Sequence, residues 1–231
     1  MRSFLSYLAE LEDYLEHLGS PTFVCIIETF LDKSVIFPRI SNYDLISRLG
    51  RRHDKTGGGI AFFARSCVSN CVVHEGDSDR FERTSHILHA DQGPLLFGLW
   101  YRPPAYGEID SITSLEAEVR CHAANVIGTI LVGDMNVHHK PWLKYSASCT
   151  PAGRHLFRFW FRGVCSATNS WPLFVGSCFV RSGSLHLDRS YTRRQRSQYG
   201  AVTCGFTGSG VCHGSPPLLL LQASKLEWTK L

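Results

Sequence analysis

The sequence predicts an α/β fold, in which short buried strands alternate with amphipathic helices. Three apolar segments have the length of buried strands, and each leads directly into a polar residue: Glu28, Tyr101 or Asp134. Leucines spaced three and four residues apart over 8–18, and a similar apolar spacing over 111–127, indicate two helices. Because α/β folds carry functional residues at the carboxyl ends of their strands, the three polar residues are candidates for an active site.

The chain has 231 residues, of which 44% are hydrophobic and 19% are charged. This composition suffices for one sizeable α/β domain or two small ones. The net charge of +4 is unevenly distributed: residues 1–165 carry 17 Lys and Arg against 18 Asp and Glu, and residues 166–231 carry 7 against 2. The basic excess belongs to the C-terminal part alone, so the overall charge does not argue for a nucleic-acid partner.

Cysteine usage and apolar segments indicate the cellular setting. The nine cysteines include no Cys-X-X-Cys pair, so neither a zinc site nor a redox motif is predicted. The N-terminal segment has no apolar signal core, and the longest apolar run near the end, 218–221, is too short to span a bilayer. We therefore expect an intracellular protein that is not secreted and has no membrane partner.

The remaining elements follow from apolar patterning and from glycine and proline positions. Strands are predicted at 23–27, 60–64, 71–73, 86–88, 95–100 and 129–132, and a third helix at 153–161. Gly128 is expected to close the second helix. The glycine triplet at 57–59 predicts a tight turn rather than a phosphate-binding loop, because it lacks a following Lys-Ser/Thr pair and opens a strand.

The character of the sequence changes near Cys165. Acidic residues almost vanish, Arg, Ser, Gly and Thr dominate, and neither a helical nor an alternating period is found. The sequence therefore predicts a domain at 1–165 and a poorly specified C-terminal tail at 166–231. A frameshift or mispredicted exon near residue 165 would explain the change, and translating the other two reading frames would test that hypothesis.

The polar residues at the strand ends suit hydrolysis of a phosphate ester. Glu28 can serve as a carboxylate ligand of Mg²⁺, which typically takes only one or two carboxylates from a protein. Asp134 can orient or deprotonate the attacking water. Asn136, Tyr101 and Arg102 can supply hydrogen-bond donors for the charge that develops on the phosphorus oxygens.

Three further arginines, Arg48, Arg51 and Arg52, are candidates for contact with a phosphate backbone. They are expected in a loop, where cationic side chains gain affinity by releasing counterions. A solvated surface loop is an equally good interpretation of the same three residues.

Four blocks, in order and with matching spacing, resemble the endonuclease/exonuclease/phosphatase superfamily. CIIETFLD at 25–32 resembles its ETWL block, and 41–65 resembles the segment that follows it in the endonucleases of non-LTR retrotransposons. LLFGLWYRPP at 95–104 is similar to the YRPP block of that branch, and ILVGDMNVHHKPWL at 130–143 is similar to its GDFN block.

The resemblance implies an α/β four-layer sandwich, in which two packed mixed β-sheets carry helices on their outer faces. It also implies Mg²⁺- or Mn²⁺-dependent cleavage of DNA phosphodiesters, which in this branch nicks chromosomal DNA and primes reverse transcription in the nucleus. The roles implied are metal ligand for Glu28, contact with the scissile phosphate for Tyr101, orientation of the water for Asp134 and transition-state stabilisation for Asn136.

The sequence also departs from the family pattern. The opening strand with its metal-site Asn is not found, and there is no closing Ser-Asp-His. Leu185-His186-Leu187-Asp188 and His213 stand near the expected places, but their neighbours do not match, so neither is assigned a role. The four-layer fold is therefore expected to be incomplete. A catalytically inactive remnant, at most a weak nucleic-acid-binding module, is the alternative to an active endonuclease.

Overall fold

The structure of the protein is a computed structural model. The structure describes residues 8–31, 34, 39–50, 58–91, 93–104, 108–141, 146–159, 173–176 and 201–204. For the last two of these ranges only the backbone is described.

The described residues form two β-sheets and three helices. The strands are β1 (Phe23–Ile27), β2 (Tyr43–Leu49), β3 (Ile60–Arg65), β4 (Val72–Asp77), β5 (Glu82–Ala90), β6 (Gly93–Tyr101), β7 (Gly128–Asp134), β8 (Leu173–Gly176) and β9 (Ala201–Cys204). The helices are α1 (Leu8–His17), α2 (Asp110–His122) and α3 (Pro151–Arg158). A single 3-10 turn, Ser69–Cys71, precedes β4.

The first sheet has the strand order β2-β3-β1-β9, and all of its pairs are antiparallel. The second sheet has the order β4-β5-β6-β7-β8, in which β6, β7 and β8 run parallel and the other pairs are antiparallel. Both sheets thus extend into strands that lie in the predicted tail at 166–231. The division of the chain at residue 165 stays a prediction.

Three hydrophobic clusters show how the layers pack. The cluster between the sheets contains the inward-facing side chains of β1, such as Phe23 and Cys25, with Phe97 of β6. The opposite face of β1 packs against Leu11 of α1, and the outer face of the second sheet packs against α2 and α3. Because both faces of β1 are covered, the strand reads as a continuous apolar run. The predicted α/β sandwich of two packed sheets with outer helices is confirmed.

Several predicted element boundaries were wrong. α2 ends at His122 rather than near residue 127, and Gly128 begins β7 instead of closing the helix. α3 begins at Pro151, two residues earlier than predicted, because Thr150 caps it by accepting a hydrogen bond from the Gly153 amide. The strand predicted from 71 begins at Val72. β2 was not predicted, because only Tyr43 and Ser47 of its side chains are buried, and they form neither a continuous apolar run nor an alternating pattern.

Within the part of the chain that the structure describes, none of the helices is both long and apolar enough to cross a bilayer.

Candidate active site

The candidate active site lies where the carboxyl ends of strands from both sheets meet. β6 and β7 are parallel and in register, so that Tyr101 lies beside Asp134 at the same edge of the second sheet. In the first sheet β1 ends at Ile27, and Glu28 follows it directly. The Tyr101 hydroxyl donates a hydrogen bond to Glu28 Oε1 at 2.6 Å. This bond brings the two sheet edges together at one place.

The Glu28 loop is held by main-chain contacts with the segment before β3. The amide of Thr29 donates to the Gly59 carbonyl and the amide of Phe30 donates to the Gly58 carbonyl, both at 3.0 Å. Glu28 itself has φ +56°, a left-handed conformation that is uncommon for a residue with a long side chain. Strained backbone of this kind concentrates at functional sites, where surrounding contacts enforce it.

Residues 134–136 form a turn that begins at the last residue of β7 and is called the turn after β7 below; it presents Asp134 and Asn136. Gly133 has φ +139°, and a Cβ at this position would overlap the main-chain carbonyl of Trp100 in the neighbouring strand. Asn136 has φ +44°, and its amide donates to Asp134 Oδ1 at 3.1 Å. The Asn136 side chain donates from Nδ2 to the carbonyl of Arg102 at 2.8 Å. The turn therefore fixes both side chains against the end of β6.

Negative charge surrounds the Tyr101 hydroxyl. Burial, the hydrogen bond to Glu28, and the charges of Glu28, Asp134 and Glu82 all raise the pKa of Tyr101 well above its usual range. The phenol consequently stays protonated at any working pH and acts as a hydrogen-bond donor. Its expected contact with a scissile phosphate stays a prediction.

Glu82 is a site residue that sequence reasoning missed. It is 5% exposed, it lies opposite Tyr101 in the antiparallel pair of β5 and β6, and its Oε2 accepts from the Gly59 amide at 2.9 Å. Gly58 has φ +106°, and a Cβ there would run into the Glu82 carboxylate. Sequence reasoning searched the ends of apolar strands, whereas Glu82 stands at the start of β5. Only its pairing with Tyr101 reveals that it belongs to the site, and that pairing cannot be read from the sequence.

The predicted phosphate-contacting arginines have different surroundings. Arg102 is 2% exposed, and its guanidinium is hydrogen-bonded to protein atoms around Glu108 and the turn after β7. Arg48 is half-buried within β2, so its predicted place in a loop was wrong. Arg48 pairs with Ala61 near the start of β3, close to the edge that carries Glu28. Arg51 and Arg52 lie outside the described residues.

The carboxylates of the site suit one hard cation rather than a closed metal cage. Among the described residues, no group of three or more His, Cys, Asp and Glu side chains is arranged to hold a metal ion. Mg²⁺ needs no such group, since it commonly keeps several waters and takes one or two protein carboxylates. Glu28 meets that need, because it is a partly exposed carboxylate at the open end of β1.

Comparison with known proteins identifies the class. The profile of the Endonuclease/Exonuclease/phosphatase family matches residues 1–209, and the chain belongs to this family. Enzymes of the family are typically dependent on a divalent metal ion, and its nucleases act on nucleic acids. No curated protein matches the chain significantly. The domain is therefore of the nuclease or phosphatase type.

Proposed function

We propose that this chain is a Mg²⁺- or Mn²⁺-dependent phosphodiesterase that nicks DNA, of the kind found in non-LTR retrotransposons. The observation that carries the proposal is the junction of Glu28 with Tyr101, Asp134 and Asn136 across the two sheets. A carboxylate for a metal, a second carboxylate for a water and neutral donors for phosphate oxygens are the groups that phosphodiester hydrolysis requires.

Each residue would have a distinct task. Glu28 would hold the divalent cation, which neutralises charge on the phosphate when bound. Asp134 would orient the attacking water and accept its proton, with Oδ1 held in place by the Asn136 amide. Tyr101, kept neutral by its surroundings, and the Asn136 side-chain amide would donate to the phosphate oxygens.

The polyanionic backbone of DNA would be bound along the edge that carries Glu28. Arg48 lies near this edge in β2, and Arg51 and Arg52 follow it in the sequence. Their charges would contribute affinity through counterion release and would make binding sensitive to salt. In a cell, such an activity requires access to chromosomal DNA, so we place the protein in the nucleus.

A non-catalytic remnant is the second candidate. The observation that favours it is the absence of a Ser-Asp-His block from the sequence. Catalytic groups that act as a unit lose activity steeply when one is missing. A remnant of this fold would still present the arginines, and would bind nucleic acid weakly without cutting it.

A plasmid-nicking assay with Mg²⁺ or Mn²⁺ separates the two candidates. We expect the chain to convert supercoiled plasmid to the open-circular form, and expect chelation of the metal to stop the conversion. The Glu28→Ala, Asp134→Ala double variant is the inactive reference, and Gly76→Ala is a folded control, since a Cβ at Gly76 meets nothing within 4 Å. Equal nicking by the chain and the double variant would exclude the enzyme. Salt-dependent DNA binding without nicking would then identify the remnant.

A further inference from the structure

We propose that Arg102 is a positioning residue whose buried side chain and main chain clasp the turn after β7 and thereby aim Asn136 and Asp134 at the substrate. The proposal deepens the proposed function and rests on it. It replaces the expected role of Arg102 in contacting DNA, which would require a guanidinium open to solvent.

Arg102 engages the main chain at three successive residues of the turn. Its amide donates to the Asp134 carbonyl at 2.7 Å. Its Nη1 donates to the carbonyls of Met135 and Asn136, at 3.3 Å and 3.4 Å. In the other direction, the Arg102 carbonyl accepts from Asn136 Nδ2 at 2.8 Å. One residue thus holds the turn through both its main chain and its side chain.

The rest of the guanidinium is committed to the start of α2. Nη2 donates to the Glu108 carbonyl at 2.6 Å and to Glu108 Oε2 at 3.1 Å, and Nε donates to Ser111 Oγ at 3.0 Å. Glu108 in turn accepts from the Ser111 amide at 2.7 Å and from its hydroxyl at 2.8 Å. Burial disfavours the charged Glu108 carboxylate, but the Ser111 hydrogen bonds and the Arg102 charge outweigh it and lower its pKa.

Burial and pairing together argue against a phosphate contact by this side chain. The Arg102 side chain is 3% exposed, and a carboxylate already compensates its charge. A phosphate would have to displace several protein acceptors to reach the guanidinium, whereas a holding role uses the arrangement as it stands. Only a planar group with several fixed donors can span Met135, Asn136 and Glu108 at once, and a lysine ammonium cannot.

The turn has a physical need for such a clasp. Asn136 lies at φ +44°, outside the regions that most side chains adopt, although Asn tolerates it better than most residues. A strained conformation persists only where its surroundings enforce it. Without the guanidinium, the Met135 and Asn136 carbonyls lose the donor that they share. Asn136 can then move, so that its amide no longer faces Asp134 and its side chain no longer faces the end of β6.

Arg83 provides a matched control. It is also 2% exposed and also bound to a carboxylate, since Nε donates to Glu118 Oε2 at 2.9 Å. It also anchors the start of α2, donating from Nη1 to the Ser111 carbonyl at 3.2 Å. Among the described residues, the Arg83 side chain makes no hydrogen bond to the turn after β7, and its other acceptor is Ser114 Oγ at 3.1 Å. Replacing either arginine by lysine therefore disturbs a buried arginine that is paired with a glutamate, Glu118 for Arg83 and Glu108 for Arg102.

The experiment compares Arg102→Lys with Arg83→Lys in nicking kinetics, DNA binding and thermal unfolding. We expect both variants to lower the melting temperature by similar amounts. We expect Arg102→Lys alone to lower kcat, by about 10²-fold, with KM within twofold, because a small misplacement of catalytic groups has an effect of this order. The salt dependence of DNA binding is measured with Arg102→Gln, because lysine would keep the charge. The slope should stay unchanged, whereas loss of a phosphate contact would reduce it by about 1.

Two outcomes would overturn the proposal. A raised KM with unchanged kcat and a reduced salt slope would make Arg102 a phosphate ligand. An equal loss of kcat in Arg83→Lys would show that the effect of Arg102→Lys comes from a general loss of stability.

A readout that does not depend on activity separates failure of this proposal from failure of the proposed function. In ¹⁵N NMR spectra, the side-chain amide of Asn136 can be assigned by its disappearance in Asn136→Asp. We expect Arg102→Lys to shift this signal and speed its exchange with solvent, and expect Arg83→Lys to leave it in place. If the unmodified chain does not nick DNA but this NMR pattern is observed, the positioning role of Arg102 is supported and the proposed endonuclease function is rejected. An unshifted Asn136 signal in Arg102→Lys would reject the clasp.

Discussion

Two hydrogen bonds that connect the sheets differ in what they can do. At the site edge, the Tyr101 hydroxyl donates to Glu28 Oε1 at 2.6 Å. Elsewhere between the same sheets, Ser47 of β2 and His86 of β5 are joined between Oγ and Nε2 at 2.7 Å. The two bonds have nearly the same length, yet one is partly exposed and involves a charged acceptor, and the other is buried between neutral groups.

The difference shows why one connection suits function and the other suits stability. The Tyr101–Glu28 pair lies among carboxylates at strand ends. Under the proposed function, a metal ion would bind Glu28 and a phosphate would accept from Tyr101. His86 is fully buried and packs against the rings of Phe62 and Phe97, at centroid distances of 4.5 Å and 6.4 Å. Burial, followed by the charge of His74, lowers the pKa of His86 to about 3, so the ring stays neutral. Because the ring is fully buried, an ion has no access to it.

The largest effect on stability is expected from a substitution that forces β6 and β7 apart at the site edge. In Gly133→Ala the new Cβ would overlap the Trp100 carbonyl, and alanine would have to adopt φ +139°. We expect unfolding in urea to show a loss of at least about 3 kcal/mol, since backbone strain alone costs roughly 1–3 kcal/mol, together with loss of nicking. Gly76→Ala is the control and should change neither. Retention of full stability in Gly133→Ala would mean that the two strands do not approach each other so closely.

Removing the Tyr101 hydroxyl should affect activity more than stability. Tyr101→Phe deletes the donor to Glu28 and, under the proposed function, the donor to a phosphate. We expect kcat to fall by about 10²-fold, the effect of losing one preorganised donor. Tyr43→Phe is the matched control, because its hydroxyl donates to the Pro21 carbonyl at 2.6 Å, away from the site. The control should lose about 1 kcal/mol of stability and keep its activity. Similar kinetics in both variants would contradict the functional role of the Tyr101–Glu28 bond.

The buried connection should make the fold sensitive to acid. The folded-state pKa of His86 is about 3, below the ordinary value of 6.5, so the unfolded chain binds a proton more readily between these pH values. The stabilisation is present above pH 6.5 and is lost as the pH falls toward 3. It should amount to about 2 kcal/mol between pH 7 and pH 5.

Urea unfolding at pH 7 and pH 5 measures this loss in the unmodified chain and in His86→Phe. The phenylalanine variant should lose the His86 contribution to the pH dependence. His89→Phe, on the exposed end of the same strand, should retain it. An unchanged pH dependence in His86→Phe would assign the acid sensitivity to other groups.

The smallest effect is expected from Ser47→Ala. The substitution leaves the buried Nε2 of His86 without its Ser47 partner, and we expect a loss of about 1 kcal/mol with unchanged nicking. Ser66→Ala removes an exposed hydroxyl that donates to Asp44, and should cost less than about 0.5 kcal/mol. Equal unfolding midpoints for the two variants would show that the interior bond contributes no more than a surface one.

Sequence reasoning was most successful where the answer lay in a short segment. Glu28, Tyr101 and Asp134 each follow or end an apolar run, and the structure brings all three to one place. The same reasoning missed β2 and misplaced the end of α2, because those segments owe their conformation to neighbours rather than to a local apolar period. It also placed Arg48 in a loop, although the residue lies in a strand.

The sequence alone determined the family, the sandwich class and the residues at the ends of β1, β6 and β7. Tertiary structure decided which groups face one another: the bond between Tyr101 and Glu28, the carboxylate of Glu82 beside them, and the clasp of Arg102 around the turn at Asn136. The physical reason is that apolar periodicity records whether a residue is buried, but not which strand of which sheet lies opposite it. Arg102 illustrates this limit: its residue type predicted a contact with DNA, whereas the structure shows its guanidinium hydrogen-bonded to Glu108 and to the turn after β7.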